Sequence, residues 1–330
     1  MNDPYTLLEL PGITSALDRT EKELRNSVQA ELPLLTTLAR HLIDAGGKRI
    51  RPSLAIASAQ ILEENPPPPT KKVILGGVAV ELVHQGSLYH DDVMDSAKTR
   101  RSVQSVNEKW GNREAILAGD YLLARASEIA ADLGAEVAGL LASTIAALCE
   151  GQLLEVDSAH DLHRTEESYM ASIVGKTGAL LSASAQIGAI VAAYPQEVIK
   201  AVAEFGKHYG VAFQIVDDLL DVMSTEKDLG KPAGNDMVEG VYTLPVIRTL
   251  RSGNGQRLEN LLKDSLTKET QNKALEIVRN DDSIGTTIDT ALLYTDKARD
   301  SLSHFPETPT SEILKSTCDL LSQRVTGLRS

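Results

Sequence analysis

Two short acidic motifs carry the residue types best suited to chemistry in this sequence. Asp91, Asp92 and Asp95 lie in DDVMD, and DDLLD at 217–221 repeats the same spacing 126 positions later. On an α-helix the first and last carboxylates of each motif lie about 40° apart on one face. Like charges one turn apart repel each other in an apolar setting unless a cation neutralises them. The spacing therefore indicates two cation sites.

The ligand type points to a hard metal ion. Carboxylate oxygens suit Mg²⁺, which usually keeps several waters and takes substrate phosphates as its other ligands. The candidate metal ligands are Asp91, Asp95, Asp217 and Asp221. If the two motifs face each other across a helical bundle, they could clamp a diphosphate between metals.

Basic residues precede a predicted helix at Lys48, Arg49 and Arg51. Pro52 fits the first turn of that helix and favours an extended conformation for Arg51. Free backbone N–H groups at a helix N-terminus also attract anions. This stretch is equally compatible with a diphosphate site and with a solvated basic turn.

Further polar residues lie near the acidic motifs. His84 precedes Asp91 by seven residues and falls within about 20° of the same helix face. Arg100 and Arg101 follow the first motif, as phosphate donors or as counter-charges at a helix C-terminus. Lys176 lies between glycines in an otherwise small and apolar helix, where an unpaired cation would be costly. We therefore expect Lys176 to reach an anion or an opening.

The composition predicts an all-α protein. Hydrophobic residues make up 42% of the 330 residues and aromatic residues 4%, which suits packed Ala- and Leu-rich helices. A net charge of −13 argues against a nucleic-acid surface. No strand-alternating array, dinucleotide loop or Walker A motif is present. We expect one domain over 1–330, with roughly ten to thirteen helices around a central bundle.

The cellular setting follows from two further features. Cys149 and Cys318 have no metal-ligand spacing, so they are interpreted as reduced thiols. The N-terminal residues lack the basic start and apolar run of a signal peptide. These features predict a cytoplasmic protein.

Six motifs together resemble those of the trans-isoprenyl diphosphate synthases. They are GGKRIRP at 46–52, DDVMD at 91–95, RR at 100–101, KT at 176–177, FQIVDD at 213–218 and LGKPAGND at 229–236. The resemblance covers nearly the whole chain. It implies an isoprenoid synthase-type helical bundle with a central active-site cavity. It also implies Mg²⁺-dependent, head-to-tail addition of isopentenyl diphosphate to an allylic diphosphate.

The resemblance assigns roles residue by residue. Asp91 and Asp95 would hold two Mg²⁺ ions and Asp217 a third when diphosphate is bound, with Asp218 and Asp221 in support. The positions that match the isopentenyl diphosphate site are Lys48, Arg51, His84 and Arg101. Those that match the allylic diphosphate site are Arg100, Lys176, Thr177, Gln214 and Lys231. The implied catalytic residues are Asp91, Asp95, Asp217 and Lys176.

The resemblance implies that the length of the prenyl product depends on the residues one turn before the first acidic motif. In the resembled family, bulky side chains there block a tunnel, whereas this chain has Gly86 and Ser87. DDVMD also lacks the two-residue insertion of the bacterial short-chain synthases. We therefore expect a long-chain polyprenyl product, with geranylgeranyl diphosphate as the main alternative. Tyr121, Leu122 and Ile145 are either tunnel-lining or core residues.

Three other classes of protein fit the sequence less well. Class I terpene cyclases typically lack GGKRIRP and a second full DDxxD, and both are present here. A non-catalytic partner subunit would usually have lost Asp positions, and all six are retained. A purely structural helical protein would have no reason to place Asp triplets beside Arg pairs. The resemblance implies a homodimer with at most peripheral membrane contact for product release.

Overall fold

The computed structural model describes residues 6–224 and 233–329, and within them the chain is almost entirely helical. The all-α prediction is confirmed. The N-terminal half contains a 3₁₀ turn (Thr6–Glu9), α1 (Ile13–Ser27), α2 (Pro33–Asp44), α3 (Ile50–Ser58), α4 (Lys71–Met94), β1 (Thr99–Arg100), β2 (Val103–Gln104), α5 (Val106–Trp110), α6 (Asn112–Leu133) and α7 (Ala135–Asp157).

The C-terminal half continues with helices alone among its described residues. They are α8 (Glu166–Ile173), a π-helical turn (Val174–Gly178), α9 (Ala179–Val191), α10 (Gln196–Met223), α11 (Asn235–Val238), α12 (Leu244–Leu250), α13 (Gly255–Leu262), α14 (Lys268–Arg279), α15 (Ser283–Ser301), α16 (Pro309–Thr326) and a final 3₁₀ turn (Gly327–Arg329).

Helix α4 lies at the centre of the N-terminal half. Thr70 caps it by accepting a hydrogen bond from the Val73 N–H at 3.3 Å. Apolar residues surround the helix on all sides, and α1, α3, α6 and α9 pack against it. This packing fixes α4 firmly and leaves its C-terminal end, with the first acidic motif, at the edge of the core.

Helix α10 lies at the centre of the C-terminal half, as α4 does in the N-terminal half. It packs between α9 and α15, and its buried residues run from Val198 to Val222. The second acidic motif lies in its last two turns. Because α9 also contacts α4, the two motif-bearing helices are held in one bundle.

A short antiparallel hairpin follows α4. Thr99 pairs with Gln104 and Arg100 with Val103. The two residues of its loop, Arg101 and Ser102, have φ of 52° and 64°. Positive φ at both loop residues matches the twist of a two-residue hairpin, although neither residue is glycine. The residue types in this stretch therefore gave no signal for a hairpin.

Within the part of the chain that the structure describes, two helical stretches are long and apolar enough to span a membrane by length and composition alone. They are Ala135–Asp157 and Glu166–Val191, with 22% and 56% of their most apolar windows buried. The second stretch is largely core. The first, α7, leaves most of its apolar surface exposed in the single chain.

Candidate active site

One cavity of about 830 Å³ lies between the C-terminal ends of α4 and α10, with walls from α6, α7 and the π-helical turn. Asp91 from the first motif and Asp217 from the second both line it. The other predicted site residues that line it are Arg51, His84, Ser87, Lys176, Thr177 and Gln214. The fold thus brings residues separated by more than 160 positions to one cavity.

The three carboxylates of the first motif lie in two kinds of surroundings: two are accessible to a metal ion, and one is buried in an ion pair. Burial raises the pKa of Asp91 to about 6, while nearby Lys176 lowers it and Asp95 raises it. Asp92 is buried instead, and its Oδ1 accepts hydrogen bonds from Arg100 Nη2 at 2.6 Å and Nε at 2.8 Å. Asp95 is exposed one turn after Asp91. Asp91 and Asp95 are therefore the carboxylates of this motif suited to a metal.

The second motif differs from the first, because only one of its three carboxylates is accessible. Asp217 is exposed to the cavity, whereas Asp218 is buried. Asp218 Oδ2 accepts from the Tyr169 hydroxyl at 2.6 Å, and Oδ1 accepts from Gln214 Nε2 at 2.8 Å. Burial nevertheless raises the pKa of Asp218 to about 7. Asp221 is 5% exposed, and its Oδ2 accepts from the Asp236 backbone N–H at 3.4 Å.

The donor set fits Mg²⁺ that is completed by substrate oxygens. Among residues 6–224 and 233–329, no group of three or more acidic, histidine or cysteine side chains could hold a metal by itself. Each motif instead offers carboxylates one turn apart, and Mg²⁺ is commonly held by one or two carboxylates plus phosphate oxygens. The raised pKa of Asp91 shows that an unneutralised charge there is costly.

Four arginines lie near enough to His84 to act on its charge. Burial lowers the pKa of His84 far below its usual value, and four arginines lower it further: Arg51, Arg101, Arg100 and Arg49. A neutral imidazole at pH 7 can donate one hydrogen bond without adding positive charge. The convergence of arginines around it favours a polyanion site.

The basic stretch before α3 differs from its prediction at two residues. Arg51 lies in the first turn of α3, so the expected extended conformation is wrong, because tertiary packing overrides the influence of Pro52. Arg49 is 4% exposed and is bound by Glu21, by Glu81 Oε1 at 2.9 Å and by the Ile43 carbonyl. Arg49 is therefore a buried structural cation.

The remaining predicted phosphate donors lie around this cluster. Arg101 Nη1 donates to the carbonyls of Leu42, at 2.9 Å, and Gly46, so the hairpin holds it against the loop before α3. Lys48 is exposed on that loop. Arg100 pairs with Asp92, as described above. Lys231 lies outside the described residues.

Lys176 reaches an anion, as expected. It lies in the π-helical turn, and its Nζ donates to Glu155 Oε1 on α7 at 2.6 Å. The adjacent Thr177 hydroxyl donates to Gln214 Oε1 at 2.9 Å, which connects this turn to α10. π-helical turns occur often at functional sites. The sequence alone showed neither the turn nor the role of Glu155.

Tyr169 is a second residue that the sequence analysis missed. It is buried in α8, seven residues before Lys176, and contacts Asp218. A separation of seven residues would place both on one helix face, and this signal could have identified Tyr169. The π-helical turn between them weakens the signal, because it adds a residue to the helical count.

The two small residues before Asp91, Gly86 and Ser87, lie in different surroundings. Ser87 lines the cavity. Gly86 instead faces α6, where an added Cβ would lie 3.1 Å from the Gly119 carbonyl oxygen and 3.2 Å from the Leu123 side chain. Gly86 is therefore a helix-crossing residue and not part of the cavity wall among the described residues.

The candidates on the neighbouring helices behave as core or surface contacts. Leu122 is fully buried, and Ile145 packs against the core. The Tyr121 hydroxyl donates to the Gln29 carbonyl at 2.8 Å. None of the three lines the described cavity. Their positions on α6 and α7 were compatible with a tunnel, but in the structure these side chains contact the core or the Gln29 carbonyl.

Comparison with known proteins shows where this fold and site occur. The polyprenyl synthetase family model matches residues 32–278. A nonaprenyl diphosphate synthase from Mycobacterium tuberculosis is 34% identical over 95% of this chain and 93% of its own. A heptaprenyl diphosphate synthase component 2 from Bacillus subtilis is 32% identical over 93% of this chain and 87% of its own.

Solved structures agree with these relatives. A geranylgeranyl pyrophosphate synthase from Corynebacterium glutamicum, complexed with calcium and isoprenyl diphosphate, superposes with a TM-score of 0.84 and 35% identity. The match covers 98% of each chain. Fold and site thus define an α-helical, metal-dependent trans-prenyltransferase. The chain belongs to the polyprenyl synthetase family, whose members depend on Mg²⁺.

Proposed function

We propose that this enzyme extends an allylic diphosphate with isopentenyl diphosphate to make a long-chain all-trans polyprenyl diphosphate. One observation carries this proposal: Asp91 and Asp217, one from each acidic motif, line a single cavity together with Arg51, His84 and Lys176. Two polyanions must approach each other for this condensation. Asp91 and Asp217 would hold metal ions there, and Arg51, His84 and Lys176 in the same cavity would bind phosphate oxygens.

The carboxylates of Asp91, Asp95 and Asp217 would hold three Mg²⁺ ions, with Asp221 in support. When bound, Mg²⁺ neutralises the leaving diphosphate so that the allylic C–O bond can ionise. Lys176 and Thr177 at the π-helical turn would orient that diphosphate.

The remaining polar residues of the site would hold the two substrates. Gln214, Arg100 and Lys231 are assigned with Lys176 and Thr177 to the allylic diphosphate. Lys48, Arg51, His84 and Arg101 are assigned to isopentenyl diphosphate. The packed apolar wall of the cavity would exclude water from the allylic carbocation. The double bond of isopentenyl diphosphate would capture this carbocation to form the new C–C bond, and loss of a proton to the departing diphosphate would restore an alkene.

An apolar wall and a small residue support the long-chain assignment. The cavity lining includes Leu88, Leu148 and Phe213, which suit a hydrocarbon. Ser87 lies one turn before Asp91 on α4 and leaves room beside the acidic motif. Two relatives described above bear long-chain names, nonaprenyl and heptaprenyl. The geranylgeranyl synthase structure supports the main alternative, a product of four isoprene units.

The product length distribution tests this proposal. The purified protein is incubated with Mg²⁺, labelled isopentenyl diphosphate and separate allylic primers, and the dephosphorylated prenols are resolved by length. A ladder that extends well beyond four isoprene units supports the proposal. A sharp stop at four units makes the protein a geranylgeranyl diphosphate synthase. No extension by folded protein with metal present favours the partner-subunit interpretation.

We further propose that two copies of the chain associate through α6 and α7. Leu117 is 63% exposed on α6 and Leu153 is 62% exposed on α7, and Ile116, Leu154 and Val156 add to the same apolar surface. Clusters of exposed apolar residues mark association surfaces. Ile116, Leu153 and Val156 also line the cavity, so a second copy would cover its outer wall.

Light scattering on a charge-substituted variant tests this association. Leu117→Arg should convert a dimer into a monomer, because it buries a charge in an apolar interface. Leu293→Arg is the matched control, since Leu293 is 51% exposed on α15. A wild-type monomer, or equal effects of both substitutions, would contradict the proposal.

A heteromeric complex is the alternative assembly. It is favoured by one observation, the component 2 designation of the Bacillus subtilis relative. Activity of the purified chain alone would exclude a requirement for another subunit. The free thiols Cys149 and Cys318 support the cytoplasmic location that we propose, with peripheral membrane contact only for product release.

A further inference from the structure

Glu155 on α7 forms an ion pair with Lys176, although the proposed reaction requires Lys176 to bind the allylic diphosphate. The Nζ–Oε1 distance is 2.6 Å, and the Glu155 side chain is only 20% exposed. Lys176 lines the cavity. In the absence of substrate, the ammonium group is therefore held by a carboxylate of the protein.

The backbone around this pair brings α7 unusually close to the π-helical turn. A Cβ on Gly151 would lie 2.6 Å from Lys176 N and 2.8 Å from the Ser172 carbonyl oxygen. A Cβ on Gly175 would lie 2.7 Å from the Ala147 carbonyl oxygen. The Ser172 hydroxyl donates to the Gly151 carbonyl at 2.9 Å. Glu155 follows Gly151 by one helical turn, so this close approach brings its carboxylate to Lys176.

The location of Glu155 is electrostatically costly. Its negative charge raises the pKa values of Asp91, Asp95 and Asp218, so it acts on carboxylates of both acidic motifs. Lys176 lowers the pKa of Asp91 and of Asp95 and thus offsets part of that repulsion. An additional carboxylate here adds nothing to the stability of the metal-free fold except through the cation that it holds.

We propose that Glu155 is a positioning residue that holds Lys176 beside Asp91 and Asp95 of the first acidic motif until a metal-bound diphosphate replaces the carboxylate as the partner of the ammonium group. Before binding, the pair keeps a cation close to the carboxylates of Asp91 and Asp95. During binding, Lys176 turns to the diphosphate, and the charge of Glu155 then favours the incoming Mg²⁺. Glu155 thereby makes tight diphosphate binding conditional on metal. The inference rests on the proposed function.

Replacement of Glu155 by glutamine should shift two binding constants in opposite directions. Glu155→Gln keeps a hydrogen-bond acceptor for Lys176 and removes one negative charge. Without metal, calorimetry should show inorganic pyrophosphate binding about fivefold tighter, because Lys176 is released more easily and repulsion falls. With saturating pyrophosphate, the Mg²⁺ concentration for half-maximal binding should rise about fivefold, because the metal loses an attracting charge.

Two further variants make the test specific. Glu166→Gln removes the same charge from an ion pair outside the cavity, with Arg248 at 2.8 Å, and should leave both constants unchanged. Glu155→Asp restores the charge and should return both constants to within about twofold of wild type. Thermal melts establish that each variant is folded.

The possible outcomes separate this inference from the proposed function. Opposite shifts in Glu155→Gln, with recovery in Glu155→Asp, support it. Two shifts of the same sign, or no shift, overturn it. Neither measurement involves chain elongation, so a wild-type protein that binds Mg²⁺ and pyrophosphate but makes no prenol would refute the proposed function alone.

Discussion

The Tyr169 hydroxyl lies 2.6 Å from Asp218 Oδ2 and joins α8 to the second acidic motif within the core. Gln214 bonds the other oxygen of Asp218 and accepts from Thr177, so one hydrogen-bond chain runs from α8 through α10 to the π-helical turn. A displacement at either end of this chain moves groups that face the cavity. Asp218 thus connects the acidic motif to the turn that carries Lys176.

Removal of the Tyr169 hydroxyl should impair catalysis more than stability. Tyr169→Phe leaves Asp218 with Gln214 as its remaining side-chain donor, and hydrogen bonds to charged groups contribute about 1.5–3 kcal/mol. We expect kcat to fall about tenfold, which corresponds to roughly 1.4 kcal/mol, and the Mg²⁺ requirement to rise. Steady-state kinetics at varied Mg²⁺ concentration measure both.

Tyr89→Phe provides the control for this substitution. The Tyr89 hydroxyl is also buried and donates to the Leu38 carbonyl at 2.6 Å, away from the cavity lining. It should lower the melting temperature without changing the Mg²⁺ dependence. A similar Mg²⁺ effect in both variants would show that Tyr169 has only a structural role.

Asp91→Ala should separate activity from folding. Loss of a carboxylate that holds metal at the ionising bond should reduce turnover by at least about 10²-fold. The raised pKa of Asp91 shows that its charge destabilises the ligand-free fold, so the melting temperature should stay equal or rise near neutral pH. Kinetics and thermal melts check the two parts. An unfolded variant would contradict the assignment of Asp91 to a metal site.

The pKa of Asp218 predicts a pH-dependent stability difference. Its folded-state pKa of about 7 exceeds the ordinary value of 3.8, so the folded state binds more protons between these values. Stability contributed by this group is therefore lost as pH rises from about 4 to about 7. Asp218→Asn lacks this loss, so the melting temperature of wild type relative to the variant should fall over that range.

Ligand binding should reverse the direction of the pH effect. Metal and diphosphate favour the ionised carboxylates, so the rise in melting temperature caused by Mg²⁺ plus inorganic pyrophosphate should grow as pH rises through about 6–8. A ligand-induced rise that is constant with pH would contradict the assignment of raised pKa values to Asp91 and Asp218.

Bulky substitutions before Asp91 should distinguish the cavity wall from the helix crossing. Ser87→Phe introduces an aromatic ring into the cavity and should shorten the product ladder. Gly86→Phe forces a ring against Gly119 and Leu123, which should lower the melting temperature by several degrees. Prenol analysis and thermal melts of both variants provide the test. An unchanged ladder in a folded Ser87→Phe variant would exclude a product path past Ser87.

Much of the helical framework could be predicted from local sequence signals. Pro33 begins α2 and the Thr165 side chain caps α8, and both are sequence signals that act locally, through proline geometry and side-chain capping. The hairpin at 99–104 was missed because its loop residues are Arg101 and Ser102, without the usual glycine or asparagine. The π-helical turn was also missed, since it depends on the close contact between α7 and Gly175.

The site residues were predictable where chemistry and helical spacing agreed. The acidic motifs, His84 and Lys176 meet at one cavity, as expected. Glu155 and Tyr169 were missed because their partners lie 21 and 49 positions away and are brought together only by packing. The surroundings of Gly86 also depend on packing: a missing side chain is compatible with an open path or with a close helix contact, and Gly86 lies against Gly119 and Leu123 of α6.

The π-helical turn at Val174–Gly178 makes the catalytic machinery sensitive to residue number as well as to residue type. Deletion of one residue there would allow a regular α-helix to form, with little loss of hydrogen bonding. It would, however, rotate α8 by about 100° relative to Lys176 and carry Tyr169 away from Asp218. A substitution in this helix keeps the register between Tyr169 and Lys176, whereas deletion of one residue in the turn shifts it and should inactivate the enzyme.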